Sequence, residues 1–113
     1  MKLSVIIPAN NEEGSLGGTV RDLYTRLSSE GIDHEIVVVN DGSTDRTEEV
    51  LQELAREVDT LRYCNNPPPN GFGFAVRKGF DLFSGDAAAV FMADGSDASV
   101  DLVRFFRTMV DLD

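Results

Sequence analysis

Residues 35–45, EIVVVNDGSTD, limit what this chain can become more than any other stretch. Ile36, Val37, Val38 and Val39 form a short, unbroken run of β-branched apolar side chains. Such a run suits a strand covered on both faces, as in a parallel sheet. It stops at Asn40, Asp41, Gly42, Ser43 and Thr44, which are residues of turns and helix caps. A carboxylate and several backbone N–H groups therefore gather just beyond the carboxyl end of a strand. In an open α/β sheet that edge is where ligands bind.

The same grammar recurs along the chain. Residues 3–7, LSVII, read as a first strand, closed by Pro8 because proline has no N–H for a ladder. Asn11, with Glu12 and Glu13 directly after it, is expected to open a helix whose dipole those anions complement. Leu16, Val20, Leu23 and Leu27 then give one apolar stripe, ending before Gly31. After the second strand, at 35–39, Asp45 and Glu48 match a capping box, with Thr44 as the alternative cap. Val50, Leu51, Leu54, Ala55 and Val58 form the inward face of that second helix. Residues 61–64 read as a short third strand, and residues 65–73, with Pro67, Pro68 and Pro69, as an ordered loop or flap. A helix from Phe72 is expected to carry Phe72, Val76, Phe80 and Phe83 on one side. Residues 87–92 give a fourth strand, and residues 99–110 a last helix presenting Leu102, Phe106, Met109 and Val110. Four strand–helix repeats of this kind predict right-handed crossovers and a mainly parallel sheet inside a three-layer α/β/α sandwich. Strands one, two and four each end in a turn bearing a carboxylate, Glu12, Asp41 and Asp94.

A chain of 113 residues supplies one domain with one core. Its formal charge of −10 excludes a protein that grips nucleic acid through the phosphates, which takes a concentrated basic face. Cys64 is the single cysteine, so no internal disulfide forms, and a buried, inert thiol is expected there. The apolar run at 3–7 is too short for a signal-peptide core or a membrane span, so the segment reads as soluble and cytoplasmic. A sheet with an exposed edge also predicts a homo-oligomer.

Two common nucleotide fingerprints fail. No G-x-x-x-x-G-K-[ST] loop is present, and the turn after the first strand lacks the glycines of a dinucleotide fold. Four blocks in order, SVIIPANNEEGSL, EIVVVNDGSTD, PNGFGFAVRKG and VFMADGSD, instead resemble the nucleotide-binding half of the family-two inverting glycosyltransferases of the GT-A fold. The dolichol-phosphate or polyprenol-phosphate sugar synthase branch is the nearest in pattern, and the resemblance covers nearly all of residues 3–97.

That resemblance implies a nucleoside-diphosphate sugar as donor, carried by UDP or GDP, with Mg²⁺ or Mn²⁺ at its diphosphate. It implies inverting transfer of the sugar to a polyprenol phosphate or other acceptor, at a membrane surface reached through other segments or partners. Pro8, Asn10 and Glu12 would line the base and ribose side of the pocket, and Asp41 would accept a hydrogen bond from the nucleobase edge. A carboxylate facing a ring N–H discriminates because a missing donor leaves a buried charge unpaired. The alternative for Asp41 is a cap on its own turn, although Asn40, Ser43 and Asp45 already offer that. Arg77 would supply positive charge to the phosphates, whereas Lys78 reads as part of a solvated helix face. Where the family carries Asp-x-Asp for the cation, this chain has Met92 and Asp94. The metal would then fall to Asp94, helped by Asp97 curling back through Gly95 and Ser96, unless Asp97 caps the last helix. Phe72 and Phe74 read as core aromatics rather than a stacking platform.

Members of the family continue for at least as much sequence again, with an acceptor-binding half and, where used, a catalytic base. No residue here is assigned as that base. Two other classes follow: a module that keeps the fold and binds donor, or assembles with partners, without turnover, and a nucleotidyltransferase acting on a nucleoside triphosphate and a sugar phosphate.

Overall fold

β1 (Leu3–Ala9) and β2 (His34–Asn40) are buried at every residue, which places them in the middle of the sheet. In the computed structural model, which describes residues 1–112, they are flanked by β3 (Leu61–Asn65) and β4 (Ala87–Val90) in the order β3-β2-β1-β4. All pairings are parallel, with Val5 opposite Ile36 and Ala89, and Val38 opposite Tyr63. The crossovers are α1 (Leu16–Ser29), α2 (Thr47–Glu57) and α3 (Phe72–Leu82), and α4 (Ser99–Leu112) follows β4. Strand order runs outward from β1 to β3 and then jumps back to β4. The direction of winding thus reverses between β1 and β4, and a crevice opens there at the carboxyl edge.

Alternation along β1 divides the core. Leu3, Val5, Ile7 and Ala9 pack with Leu16, Val20, Leu23 and Leu27 of α1, Leu51 and Leu54 of α2, and Leu102, Val103 and Phe106 of α4. Ile6 points the other way, toward α3. The expected three-layer α/β/α sandwich is therefore present, with three helices on one face and α3 on the other. Among the described residues no helix is long and apolar enough to cross a membrane.

Several local expectations need correction. Pro8 does not end β1, which runs on to Ala9 with Pro8 opposite Val39. The Ile6 carbonyl accepts from Phe91 N–H toward β4, and the Ala9 carbonyl from Asp41 N–H toward β2. By alternation the missing N–H of Pro8 falls on the β4 side, beyond the last paired residue there, so the sheet loses nothing. β4 itself stops at Val90, short of Met92. α1 does not start at Asn11, which adopts φ 54° in a bend; its first turn forms on the Glu12 carbonyl, which accepts from Ser15 and Leu16 N–H. Asp45 stands one residue before Arg46, the N-cap of α2, and accepts from Thr47 N–H at 2.9 Å, while Glu48 is drawn off by Asn65 Nδ2 at 2.9 Å, so the expected capping box does not form. Ala55 and Val110 are exposed.

The largest departure is α3. Its buried residues are Ala75 and Gly79, while Phe72, Phe74 and Phe80 are 57%, 46% and 46% exposed. Small side chains let this helix lie directly on β1: a methyl built at Gly79 would overlap Ile6 Cγ2. Large aromatics cannot occupy so narrow a gap. The Cys64 thiol is half-buried, and burial raises its pKa despite Lys78 and Arg62 nearby, in keeping with an inert thiol.

On the α3 face a carboxylate ties the sheet to the segment after the helix. Glu35 is 6% exposed; Ser4 Oγ donates to it at 2.6 Å, Arg62 Nε at 3.1 Å, and Ser84 N–H completes the set. Burial pushes its pKa up, but the bonds from Ser4 and Ser84 and the Arg62 charge outweigh burial and hold the group below the ordinary carboxylate range. A depressed pKa in the folded state adds stability above the unfolded value and loses it as pH falls through the folded value. Glu35→Gln should therefore lower the unfolding free energy at pH 7 by about 1–3 kcal/mol, with the gap to wild type narrowing below about pH 4 in denaturant titrations. Gly79→Ala should destabilise by about 1–3 kcal/mol in the same measurement, opposite in sign to the usual gain for this change in a helix interior.

Candidate functional site

At the carboxyl edge, where the winding reverses, lies a cleft of about 420 Å³. β1 and the loop after it contribute Pro8, Asn10 and Glu12, the end of β2 contributes Asp41, and the start of α3 contributes Asn70, Gly71 and Phe72. Met92 closes the β4 side. Polar groups from three loops thus converge on one opening, the usual character of a small-molecule site. A groove of about 440 Å³ runs instead along the unpaired outer edge of β4, walled by Val90, Leu102 and Phe105, away from those converging groups.

The lip of the cleft is stitched from two loops. Asn11, held at φ 54°, accepts at Oδ1 from Thr44 N–H at 2.8 Å and Asp45 N–H at 3.3 Å, and its own N–H donates to Ser43 Oγ at 3.0 Å. Glu12 N–H donates to Thr47 Oγ1 at 2.9 Å and Glu13 N–H to Asp45 Oδ2 at 3.3 Å. The Glu12 carboxylate is half-buried and accepts from Ser15 Oγ at 2.8 Å. Asn10 is exposed and donates from Nδ2 to the Asp41 carbonyl at 2.6 Å. The loops after β1 and β2 therefore form one ledge.

Asp41 lines the cleft yet is only 4% exposed. Its Oδ1 accepts from Asn66 Nδ2 at 3.0 Å and Asn70 Nδ2 at 2.9 Å, and its Oδ2 accepts from Gly71 N–H at 2.7 Å. Burial works to raise its pKa, and these three bonds override burial and lower it, so the group stays ionised. Asp41 caps no turn of its own; its donors come from the loop before α3.

The structure separates the remaining candidates from this cleft. Ala75 and Gly79 face the sheet, and Arg77, two residues from each, stands about 200° around the helix from both. It is exposed in a groove with Pro67, Phe74 and Lys78, apart from the residues that line this cleft. Asp94 lies on the same carboxyl edge but is exposed; hydrogen bonding from the Ser96 side chain, and then from Ser96 N–H at 2.9 Å to Oδ1, holds its pKa below the ordinary range. Asp97 does not cap α4: its Oδ2 accepts from Met92 N–H at 2.9 Å, while the Ala98 carbonyl takes Asp101 and Leu102 N–H at the helix start.

Among the described residues no three His, Cys, Asp or Glu side chains gather to hold a cation. The donor set near β4 is Asp94 and Asp97, the latter accepting from Met92 N–H at one oxygen only, with the thioether of Met92 on the cleft wall. Sulfur does not suit Mg²⁺ or Mn²⁺, which take oxygen. Mg²⁺ is nevertheless commonly held by one or two carboxylates together with substrate phosphates. These residues fit a cation that arrives with phosphates, held from the protein side by one or both of Asp94 and Asp97.

Asn66 and Asn70 were not singled out from the sequence. The available signal was a run of prolines bracketed by amides and a glycine, NNPPPNG, with no indication of which distant acceptor those donors serve.

Residues 4–111 match the family model described as Glycosyl transferase family 2. The chain is 40% identical over 96 residues to a dolichol-phosphate mannosyltransferase of Pyrococcus furiosus, covering 83% of this chain and 26% of that protein. S. aureus TarS 1-349 in complex with UDP-GlcNAc superposes with a TM-score of 0.78 at 21% identity, over 98% of this chain and 32% of that one. The mannosyltransferase PcManGT from Pyrobaculum calidifontis, in complex with GDP-Man and Mn²⁺, gives 0.70 at 22% identity, over 81% and 27%. At those identities the two structures speak for the fold, which is GT-A. The chain spans about a quarter of the length of the archaeal relative, 26%. The family match takes in the ledge, the Asp41 loop and the Met92–Asp97 turn together, and the chain belongs to glycosyl transferase family 2.

Proposed function

We propose that the cleft binds a nucleoside-diphosphate sugar, and that the chain is the donor-binding part of an inverting glycosyltransferase acting on a polyprenol phosphate or another acceptor. One observation carries this reading: Pro8, Asn10, Glu12 and Asp41 share a single cleft with the N-terminus of α3. Gly71 is the N-cap of α3 and has no side chain of its own to cap the turn that follows, its own N–H being held by Asp41. Helix-start N–H groups left free in this way, at the positive end of the dipole, suit a diphosphate. Gly71, at φ 139°, lets the backbone approach without a side chain in the way. The nucleoside then lies along the ledge of Pro8, Asn10 and Glu12.

Asp94 would hold the divalent cation, Mg²⁺ or Mn²⁺, which neutralises charge on the departing diphosphate. The named relative supports transfer to a lipid phosphate, the two complexes support a donor of the UDP- or GDP-sugar class, and the one with GDP-Man and Mn²⁺ supports a divalent metal. A second reading is favoured by Met92: with an apolar side chain where a metal-binding carboxylate would sit, the chain binds donor without turning it over.

Isothermal titration with UDP, GDP and their sugars tests the first claim. Saturable binding strengthened by Mn²⁺ is expected, and no binding of any of them with metal present would refute it. Because Asp94, helped by Asp97, supplies two carboxylates at most, Mn²⁺ titrated without nucleotide should show no saturable binding. Asp94→Ala should abolish the Mn²⁺ enhancement while metal-free nucleotide affinity stays within about twofold, the small change expected of a residue outside the cleft. Release of nucleotide from a UDP- or GDP-sugar in the presence of a polyprenol phosphate separates the enzyme from the binding module.

A further inference from the structure

We propose that the outer edge of β4 docks a second copy of this chain, the two β4 strands pairing antiparallel about a two-fold axis so that two four-stranded sheets become one. The inference stands apart from the donor-binding reading, since this edge lies away from the cleft.

β4 ends the sheet with one side open. Ala87 and Phe91 N–H donate to the Lys2 and Ile6 carbonyls of β1. By alternation Ala88 and Val90 turn their N–H and carbonyl groups outward, and no backbone group among the described residues takes them. A strand edge in that state is a template for another strand. The opposite edge of the sheet is guarded. β3 carries Arg62 and runs on into Pro67, Pro68 and Pro69, a charge and prolines of the kind that blunt an edge. β4, reading Ala-Ala-Ala-Val, has neither.

A second copy is the occupant this edge fits, because the edge is complementary to itself. With the axis at Ala89, Ala88 lies opposite the partner's Val90 and Val90 opposite the partner's Ala88, each pair exchanging both N–H···O bonds. α4 lies over β4, since Leu102, Val103 and Phe106 share one core with Ala87 and Ala89. The same axis therefore sets α4 antiparallel beside its copy. Leu102 and Phe105, the latter 61% exposed, wall the groove of about 440 Å³ along this edge and gain apolar counterparts there. At a charge of −10, copies repel unless the contact balances its own charges. Asp101 and Arg104, both exposed and one turn apart, do so: their order reverses in the antiparallel copy, and each Asp101 faces the partner's Arg104.

Sedimentation equilibrium from about 10 µM to about 1 mM, a range that spans weak protein association, tests this together with backbone amide hydrogen exchange at both ends of the range. The mean mass should rise toward that of two chains, and the Ala88 and Val90 amides should exchange more slowly at the higher concentration. Ala88→Pro deletes an outward N–H while leaving the ladder to β1 intact, and should weaken association about tenfold. Asp101→Arg and Arg104→Asp should each weaken it about fivefold, and the two together should restore it. Thermal melts check folding, and the charge variants, at exposed positions, carry the test should the Ala88→Pro chain not fold. A chain that stays monomeric throughout, a dimer whose Ala88 and Val90 amides exchange at the monomer's rate, or a double charge reversal no better than the single ones overturns the inference.

Discussion

A carboxylate placed at the buried end of a central strand obliges the chain to bring it donors, and the site follows from how that is done at Asp41. An unpaired buried anion would cost several kcal/mol. The chain meets the demand with two asparagine amides and a backbone N–H, all from the segment between β3 and α3. This segment holds three consecutive prolines, which limit its freedom before it folds. Asp41 fastens its two ends to the sheet, so the wall of the cleft is an ordered surface rather than a flap.

The other wall depends on α3 lying close to β1. Gly79 and Ala75 are the contact, and Ala75 also lines the cleft, so the depth of the opening is set by the distance at which two small residues let helix and strand meet. The Glu35 cluster holds the opposite end of the same helix, through Ser84 just after it. Two buried carboxylates, one at each end of β2, thereby fix the two ends of α3. The position of the helix N-terminus is a consequence of both.

Much of the framework was legible in the sequence because it is written in periodicity. The apolar runs of β1 and β2 and the stripe of Leu16, Val20, Leu23 and Leu27 map directly onto buried positions. Glu12, Asp41 and Asp94 fall on one edge because parallel strands end together. α3 was misread for a definite reason: its buried face is made of glycine and alanine, whose contribution is the absence of bulk, while its hydrophobic phenylalanines face outward. The partners of Asp41 were out of reach because they lie 25, 29 and 30 residues away and are amides with no fixed preference for one acceptor.

The central claim is that ledge and helix start form one donor-binding cleft. Backbone amide chemical-shift mapping of the isotopically labelled chain, titrated with UDP and Mn²⁺, tests it most directly. The account predicts perturbations concentrated at Asn10, Glu12, Asn70, Gly71 and Phe72, leaving the outer edge of β4 unchanged. Perturbations confined to Val90, Leu102 and Phe105, or none at saturating nucleotide, would contradict it.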